Sequence, residues 1–165
     1  MALEHDYFGV LDENTTGDVI WSDTIEVADQ SVEVSLRTEK STLAGTALLD
    51  AAAELFLRFE DRDIQARENL VSELNSGTSV LVQYLDGLLA ELGEELIDSL
   101  SYSSGDIQID ILRSLQLRRV EIDLGADSSD EAFSQFRYFF ELDDSDRDLA
   151  VSFDLDFHLV EIEVK

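Results

Sequence analysis

The 165-residue chain contains no cysteine and no proline, and only two of its residues are lysine. The absence of cysteine excludes disulfides, thiolate metal sites, iron–sulfur clusters and a cysteine nucleophile. No apolar run approaches the roughly 18 residues of a membrane-spanning helix, and the N-terminus lacks the basic start and apolar stretch of a signal peptide. We therefore expect no membrane contact and a cytoplasmic location.

Basic residues are scarce as a class, because 38 Asp and Glu stand against 11 Lys and Arg and the formal net charge is −27. A field of this sign repels nucleic acids and anionic membranes, and it attracts cations and basic proteins. We predict no nucleic-acid partner and no membrane partner, and we expect a protein partner to be basic. A second interpretation is that a high-salt cytoplasm selected this acidic, lysine-poor surface.

Apolar residues make up 44% of the chain and include nine Phe, four Tyr and one Trp. This content is normal for a globular protein and higher than a disordered acidic segment would have. We predict a single α+β domain over residues 1–165. It has strands in 5–39, helices in 42–102, and a short helix followed by antiparallel strands in 106–165.

Alternating apolar residues indicate the strands of the N-terminal zone. Trp21 and Ile25 belong to one such pattern, and residues 32–36 form another in which Val, Val and Leu alternate with Glu and Ser. Turn-forming residues at 14–17 and 28–30 separate the strands. We expect these strands to share a sheet with those near the C-terminus.

The spacing of apolar residues predicts three helices within the zone 42–102. Ser41 or Thr42 is the expected N-cap, the run 60–63 interrupts the pattern, and residues 75–77 end the second helix. Gly93 predicts a break in the third helix, since glycine destabilises a helix interior by about 1 kcal/mol. The apolar positions that we expect to be buried against the sheet are Leu48, Leu55, Phe56, Leu81, Leu85 and Leu88.

Residues 106–115 fit both a strand and a helix. Ile107, Ile109 and Ile111 alternate as in a strand, whereas Ile107, Ile111 and Leu115 share one face of a helix. We favour the helix, because the apolar phase changes just before the strand that contains Val120. The strand is kept as the alternative.

Apolar alternation predicts the C-terminal strands around 120–124, 133–142, 149–153 and 160–164. The last two segments have opposite parity, which disfavours one uninterrupted strand, and we favour a hairpin turn at 154–157 over a bulge. Strands, then helices, then strands are typical of an α+β fold. We expect an antiparallel sheet built from the N- and C-terminal strands, with the helical middle packed on one face.

One acidic turn carries the start of a calcium-loop pattern. Asp144, Asp146 and Asp148 have the spacing of the first ligands, but Leu149 stands where the loop needs glycine and Leu155 where it needs glutamate. An acidic hairpin turn is therefore the favoured interpretation, and the three aspartates are only weak metal candidates. We predict no metal and no cofactor.

Motifs for catalysis are absent from the sequence. The two histidines, His5 and His158, stand in no known metal-binding or catalytic spacing, and no nucleotide-binding or serine-hydrolase motif occurs. Carboxylates are so numerous that a pair at catalytic separation carries no information. We predict that the protein is not an enzyme and has no catalytic residue. A hydrolase that uses His158 or a carboxylate cluster is the alternative.

Three residues are candidate partner contacts. Arg118 and Arg119 form the only adjacent basic pair in the chain. Phe139 is predicted to lie on the opposite face of its strand from Phe136 and Tyr138. There it contacts either a partner or a second layer of the protein.

Most other arginines are expected to pair with nearby carboxylates. Helical spacing predicts two such pairs, Arg58 with Glu54 and Arg67 with Asp63. Pairs of this kind on a helix surface stabilise by only a few tenths of a kcal/mol. We therefore expect them to contribute little to the fold.

Several features follow one another along the chain: the segment 7–11 (YFGVL), the strand around Trp21, a helical middle and an acidic C-terminal strand, 160–164 (VEIEV). This layout resembles a family of small bacterial and archaeal domains, domain of unknown function two-thousand-and-four and its relatives, over most of the chain. Relatives of this kind are thought to include immunity proteins of polymorphic toxin systems. The resemblance implies an immunity-type function and brings no catalytic residues.

These observations favour a non-catalytic protein-binding module. The first alternative is an immunity-type protein that neutralises a basic toxin, whose active surface would be positive. The second is a salt-adapted protein whose charge serves its environment, and the third is the hydrolase. Electrostatic steering by the acidic surface would speed association with a basic partner.

Overall fold

The computed structural model of the protein describes residues 2–12, 19–27, 30–37, 47–76, 79–100, 104–124, 132–140 and 147–164. In chain order the elements are β1 (Ala2–His5), β2 (Gly9–Asp12), β3 (Val19–Val27), β4 (Gln30–Arg37), α1 (Ala47–Leu57), α2 (Phe59–Ser76), α3 (Ser79–Leu92), α4 (Glu94–Ser99), α5 (Ile107–Ser114), β5 (Gln116–Asp123), β6 (Ser134–Phe139), β7 (Leu149–Phe153) and β8 (Leu159–Val164). The predicted N-cap at Ser41 or Thr42 and the predicted turn at 14–17 lie outside the described residues, as does most of the turn at 28–30.

Strands β3 to β8 form one six-stranded sheet in chain order, and the α+β prediction is confirmed. Neighbouring strands are antiparallel except β4 and β5, which are parallel. Parallel neighbours need a crossover connection, and here the chain passes through all five described helices between them. The predicted antiparallel sheet is therefore correct except at this one pair.

The first two strands form a separate hairpin, and β3 and β4 are the N-terminal strands that join the C-terminal ones in the predicted sheet. Phe8, in the turn of this hairpin, is buried. Its ring centroid lies 4.8 Å from that of Trp21 and 6.0 Å from that of Phe56. His5 Nε2 is 2.8 Å from Asp50 Oδ1. Aromatic packing and this contact attach the hairpin to the sheet and to α1.

The helices cover one face of the six-stranded sheet. Val34, Val120, Phe136 and Val151 are fully buried on this face of four successive strands, as alternation along a strand requires. The predicted helical positions that are buried against it are Leu55, Phe56, Leu81, Leu85 and Leu88. Leu48 is only partly buried. None of the described helices is long and apolar enough to cross a membrane.

Local signals set two helix boundaries, of which the break at Gly93 was predicted. The Asp106 side chain accepts hydrogen bonds from the backbone N–H groups of Gln108 (3.1 Å) and Ile109 (3.3 Å), which is N-cap geometry. Residues 107–114 are therefore helical, and the strand alternative is wrong. Gly93, with φ of +53°, separates α3 from α4, as its conformational freedom allows.

The predicted interruption at 60–63 is wrong. These residues lie in α2, and the break between α1 and α2 falls at Arg58, two residues before the predicted interruption. Helical hydrogen bonds continue through that point, from Arg58 N to Glu54 O (3.1 Å) and from Arg62 N to Arg58 O (3.0 Å). Acidic residues are favourable in a first helical turn, and Asp63 is buried with partners described below.

A hairpin turn joins β7 to β8, as favoured from parity. Backbone hydrogen bonds from Asp154 N to His158 O (3.0 Å) and from Phe157 N to Asp154 O (3.1 Å) close it. A register shift in the β7–β8 ladder, between Ser152 and Phe153, shows that a bulge is present as well. The turn and the bulge together account for the opposite parity of the two strands.

Candidate functional site

The second face of the six-stranded sheet carries polar side chains, and we call it the open face. Its members alternate with the buried positions of the same strands, and most are exposed or half-buried. Those used below are Glu33, Arg37, Arg118, Arg119, Glu121, Asp123, Gln135, Arg137, Phe139 and Ser152. Four of the nine arginines of this acidic chain lie there. The open face therefore brings together four arginines and, in the same set, the carboxylates of Glu33, Glu121 and Asp123.

Three of these arginines surround one carboxylate, and we call the group the arginine cluster. Glu121 Oε2 is 3.7 Å from Arg37 Nη1, and its Oε1 is 3.7 Å from Arg119 Nη1 and 4.0 Å from Arg137 Nη2. Glu33 Oε2 also accepts a 2.9 Å hydrogen bond from Arg119 Nη2. Of these three arginines only Arg119 was predicted as a contact residue, because Arg37 and Arg137 lie on strands whose pairing with β5 the sequence does not predict.

The other two predicted contact residues, Arg118 near the start of β5 and Phe139 at the end of β6, lie against each other. A register shift between Leu117 and Arg119 marks a bulge, which re-aims a side chain. The Arg118 guanidinium lies 4.1 Å from the centroid of the Phe139 ring, and its Nη1 is 3.2 Å from Asp148 Oδ1. Arg118 therefore covers Phe139 in a cation–π contact and pairs with a buried carboxylate.

The weak metal candidates are thus divided. Asp148 pairs with Arg118, while Asp144 and Asp146 lie outside the described residues. A different set, Asp154, Asp156 and His158, brings three potential ligand atoms within 4.8 Å of one another in the β7–β8 turn. This set was not predicted from the sequence, because its spacing matches no known metal motif.

The geometry of that turn assigns Asp154 a structural role. Its Oδ1 accepts hydrogen bonds from the backbone N–H groups of Asp156 (2.9 Å) and His158 (2.8 Å). These bonds hold a turn in which Phe157 has φ of +61°, an uncommon value for a residue other than glycine. The Phe157 ring stacks on Phe153 at 4.1 Å between centroids, which offsets this strain.

A buried polar network connects α2, α5 and β6. Asp63 Oδ1 accepts a 2.7 Å hydrogen bond from the Tyr138 hydroxyl and lies 3.2 Å from Arg67 Nε. Arg67 Nη1 also donates to Leu115 O, at 2.6 Å, just after the end of α5. Burial raises the pKa of Tyr138 well above its usual range, and the charge of Asp63 raises it further.

The raised pKa of Tyr138 predicts a specific loss of stability at alkaline pH. An unfolded tyrosine ionises near pH 10, whereas folded Tyr138 keeps its proton, so the folded state binds more protons and stability falls as pH rises above about 10. We expect Tyr138→Phe to remove roughly 1.4 kcal/mol of this loss per pH unit. Urea melts between about pH 9 and 11.5 measure it. Equal slopes for the wild type and the variant would contradict the assignment. Partial burial and the charge of Asp23 also raise the pKa of the more exposed Tyr7, so Tyr7→Phe should remove a smaller part of the loss.

The outward face of α1 and α2 carries two exposed apolar residues among acids, and we call it the outer stripe. It consists of Leu57, Glu60, Asp61, Ile64 and Glu68, which lie on one side of a helix at positions i, i+3, i+4, i+7 and i+11. Leu57 is 73% exposed and Ile64 is 49% exposed. The helical hydrogen bonds through Arg58 keep the two ends of the stripe in phase.

Comparison with known protein families, with curated proteins and with solved structures finds no match for this chain. The resemblance to the domain of unknown function named above stays a prediction. Function is therefore argued from the surfaces just described.

Proposed function

We propose that this chain is a non-catalytic module that binds a basic protein partner through the outer stripe. Leu57 and Ile64, seven residues apart on one helical side, carry the proposal. Exposed apolar surface with a rim of polar residues marks protein-interaction sites, and here two large apolar side chains share one helical side with acidic residues around them. An immunity-type protein that neutralises a basic toxin is one form of this function.

The chemistry of the stripe specifies the partner segment. Apolar residues seven positions apart match the heptad spacing of two packed helices. Glu60, Asp61 and Glu68 flank them, and none of the three pairs with another described residue. The best complement is an amphipathic helix with apolar side chains on one face and Lys or Arg beside them, which the acidic surface attracts and orients.

A synthetic peptide tests this proposal on the full chain. The probe is an amphipathic helix of about three heptads with leucine at the apolar positions and lysine at the flanking ones, followed by fluorescence anisotropy. We expect a Kd on the order of 10 μM. Leu57→Ser with Ile64→Ser should weaken binding by about tenfold or more, whereas Val10→Ser, at an equally exposed apolar residue of β2, should leave it unchanged.

Charge variants separate a specific surface from diffuse attraction. Asp61→Lys with Glu68→Lys alters the outer stripe, and Glu94→Lys with Glu95→Lys makes the same change in net charge on α4. Only the first pair should weaken binding by about tenfold. Equal effects of both pairs, or equal binding of a peptide with glutamate in place of lysine, would overturn the proposal. Equal effects would favour a charge that serves the environment.

A further inference from the structure

The arginine cluster on the open face lies on a different surface from the outer stripe and has a use of its own. All three guanidinium–Glu121 distances, 3.7 to 4.0 Å, are longer than a hydrogen bond, which spans roughly 2.7–3.2 Å. Glu121 therefore attracts the three arginines without occupying their N–H groups. A guanidinium has five such donors.

Two like charges face each other in this arrangement, although Glu33, Glu121 and Asp123 lie on the same face as the three arginines. In the β5–β6 ladder Arg119 is directly opposite Arg137, and like charges in that position destabilise a sheet. Glu33 compensates Arg119 through two hydrogen bonds, at 2.9 and 3.2 Å. Within the part of the chain that the structure describes, the Arg137 side chain donates its hydrogen bond to a neutral acceptor, Gln135 Oε1, at 3.2 Å. The side chain of Arg37 forms no hydrogen bond with the described residues.

A groove opens where these unsatisfied donors lie. It has a volume of about 220 Å³, and its lining includes Arg37, Asp123, Gln135, Arg137 and Ser152. The Gln135 amide and the Ser152 hydroxyl add neutral hydrogen-bonding groups; they bond to each other at 3.2 Å. A second groove, of about 670 Å³, also has Arg37 and Glu121 in its lining and extends to Ser22, Asp23 and Thr24 of β3.

We propose that this groove binds an oxyanion, the carboxylate or phosphate group of a small molecule, between the guanidinium groups of Arg37 and Arg137. Planar guanidinium forks match both groups and form charge-assisted hydrogen bonds with them. Glu121 keeps the arginines in place and competes with the ligand for them. The negative field of the whole protein opposes highly charged ligands, so the ligand carries one or two negative charges.

The experiment titrates the full chain with sodium acetate and, separately, with sodium phosphate at constant ionic strength. The readout is the chemical shift of the arginine Nε–Hε resonances, and the two titrations distinguish a carboxylate from a phosphate ligand. We expect saturable shifts at Arg37 and Arg137 with a Kd on the order of 1 mM for one of the two anions. The resonance of Arg58, an exposed helical arginine, should not move.

Variants distinguish a ligand site from a purely structural ion-pair network. Arg37→Gln should weaken binding by about tenfold, and Arg58→Gln by less than about twofold. Glu121→Gln removes the internal competitor and should tighten binding by about fivefold, an effect that a structural network does not produce. Unchanged far-ultraviolet circular dichroism shows that each variant is folded. The proposal is overturned if neither acetate nor phosphate saturates the shifts up to about 100 mM. Equal effects of Arg37→Gln and Arg58→Gln, or weaker binding in Glu121→Gln, would also overturn it. None of these outcomes bears on the outer stripe.

Discussion

Raising the NaCl concentration from about 10 mM to about 1 M at pH 7 is expected to stabilise the protein by on the order of 5 kcal/mol. The excess of 27 negative charges is spread over an accessible surface of 8743 Å², so neighbouring uncompensated charges are roughly 18 Å apart and repel by roughly 0.2 kcal/mol per pair in water. Each has several neighbours. The Debye length falls from about 30 Å to about 3 Å over this range, which nearly abolishes the repulsion.

Salt acts on the difference between the two states. Unfolding increases the radius of gyration of a chain of this length from about 15 Å to about 43 Å. The same charges are then farther apart, so the unfolded chain gains less from screening. The free energy of unfolding should therefore rise with salt.

Urea melts across the salt series measure this effect, and agreement between NaCl and KCl separates screening from ion-specific effects. Glu94→Gln with Glu95→Gln removes two exposed carboxylates of α4 and should reduce the gain. A midpoint that is constant or falls with salt would show that the charges are already compensated locally. It would also remove the physical basis for salt adaptation.

Replacing Arg67 with methionine is expected to destabilise the protein by about 4 kcal/mol. The substitution leaves the buried Asp63 carboxylate with no cation, because Arg67 Nε at 3.2 Å is its partner in the described network. It also removes the donor to Leu115 O. An unpaired buried charge is far less favourable than a buried ion pair.

Two comparisons make the Arg67 result specific. Arg58→Met breaks an exposed pair with Glu54, at 3.9 Å, and should change the free energy of unfolding by less than about 0.5 kcal/mol. Adding Asp63→Asn to Arg67→Met should recover about half of the loss, since the buried charge is then absent. Urea melts of the three variants and the wild type provide the values. A loss below about 1 kcal/mol for Arg67→Met, or no recovery in the double variant, would contradict the proposed network.

The exposed and the buried arginine pairs show how far sequence reasoning reaches. Both were predicted from the same four-residue spacing, and both occur. From the spacing, both pairs were expected to stabilise by the same small amount. The spacing does not show that Tyr138, 75 residues away from Asp63, packs over the Arg67–Asp63 pair and buries it. The run 60–63 was predicted to interrupt a helix because its charged residues break the apolar pattern. The tertiary contacts of Asp63 instead stabilise a helix through this run.

Strand alternation, the helix within residues 106–115 and the break at Gly93 were determined by the sequence alone. Each depends on interactions among residues a few positions apart, and such interactions follow from residue type and spacing. The overall charge and its screening likewise depend on composition alone.

Tertiary structure decided which strands pair and therefore which charges meet. The parallel pairing of β4 with β5 places Glu33 opposite Arg119, 86 residues further along the chain. The arginine cluster exists only because β4, β5 and β6 are neighbours in the sheet. Alternation shows that a residue lies on a polar face, but it does not show which strand lies beside it, since many pairings satisfy the same local pattern. Pairing is selected by how well the helices and one face of the sheet exclude water together, and that depends on the whole chain at once.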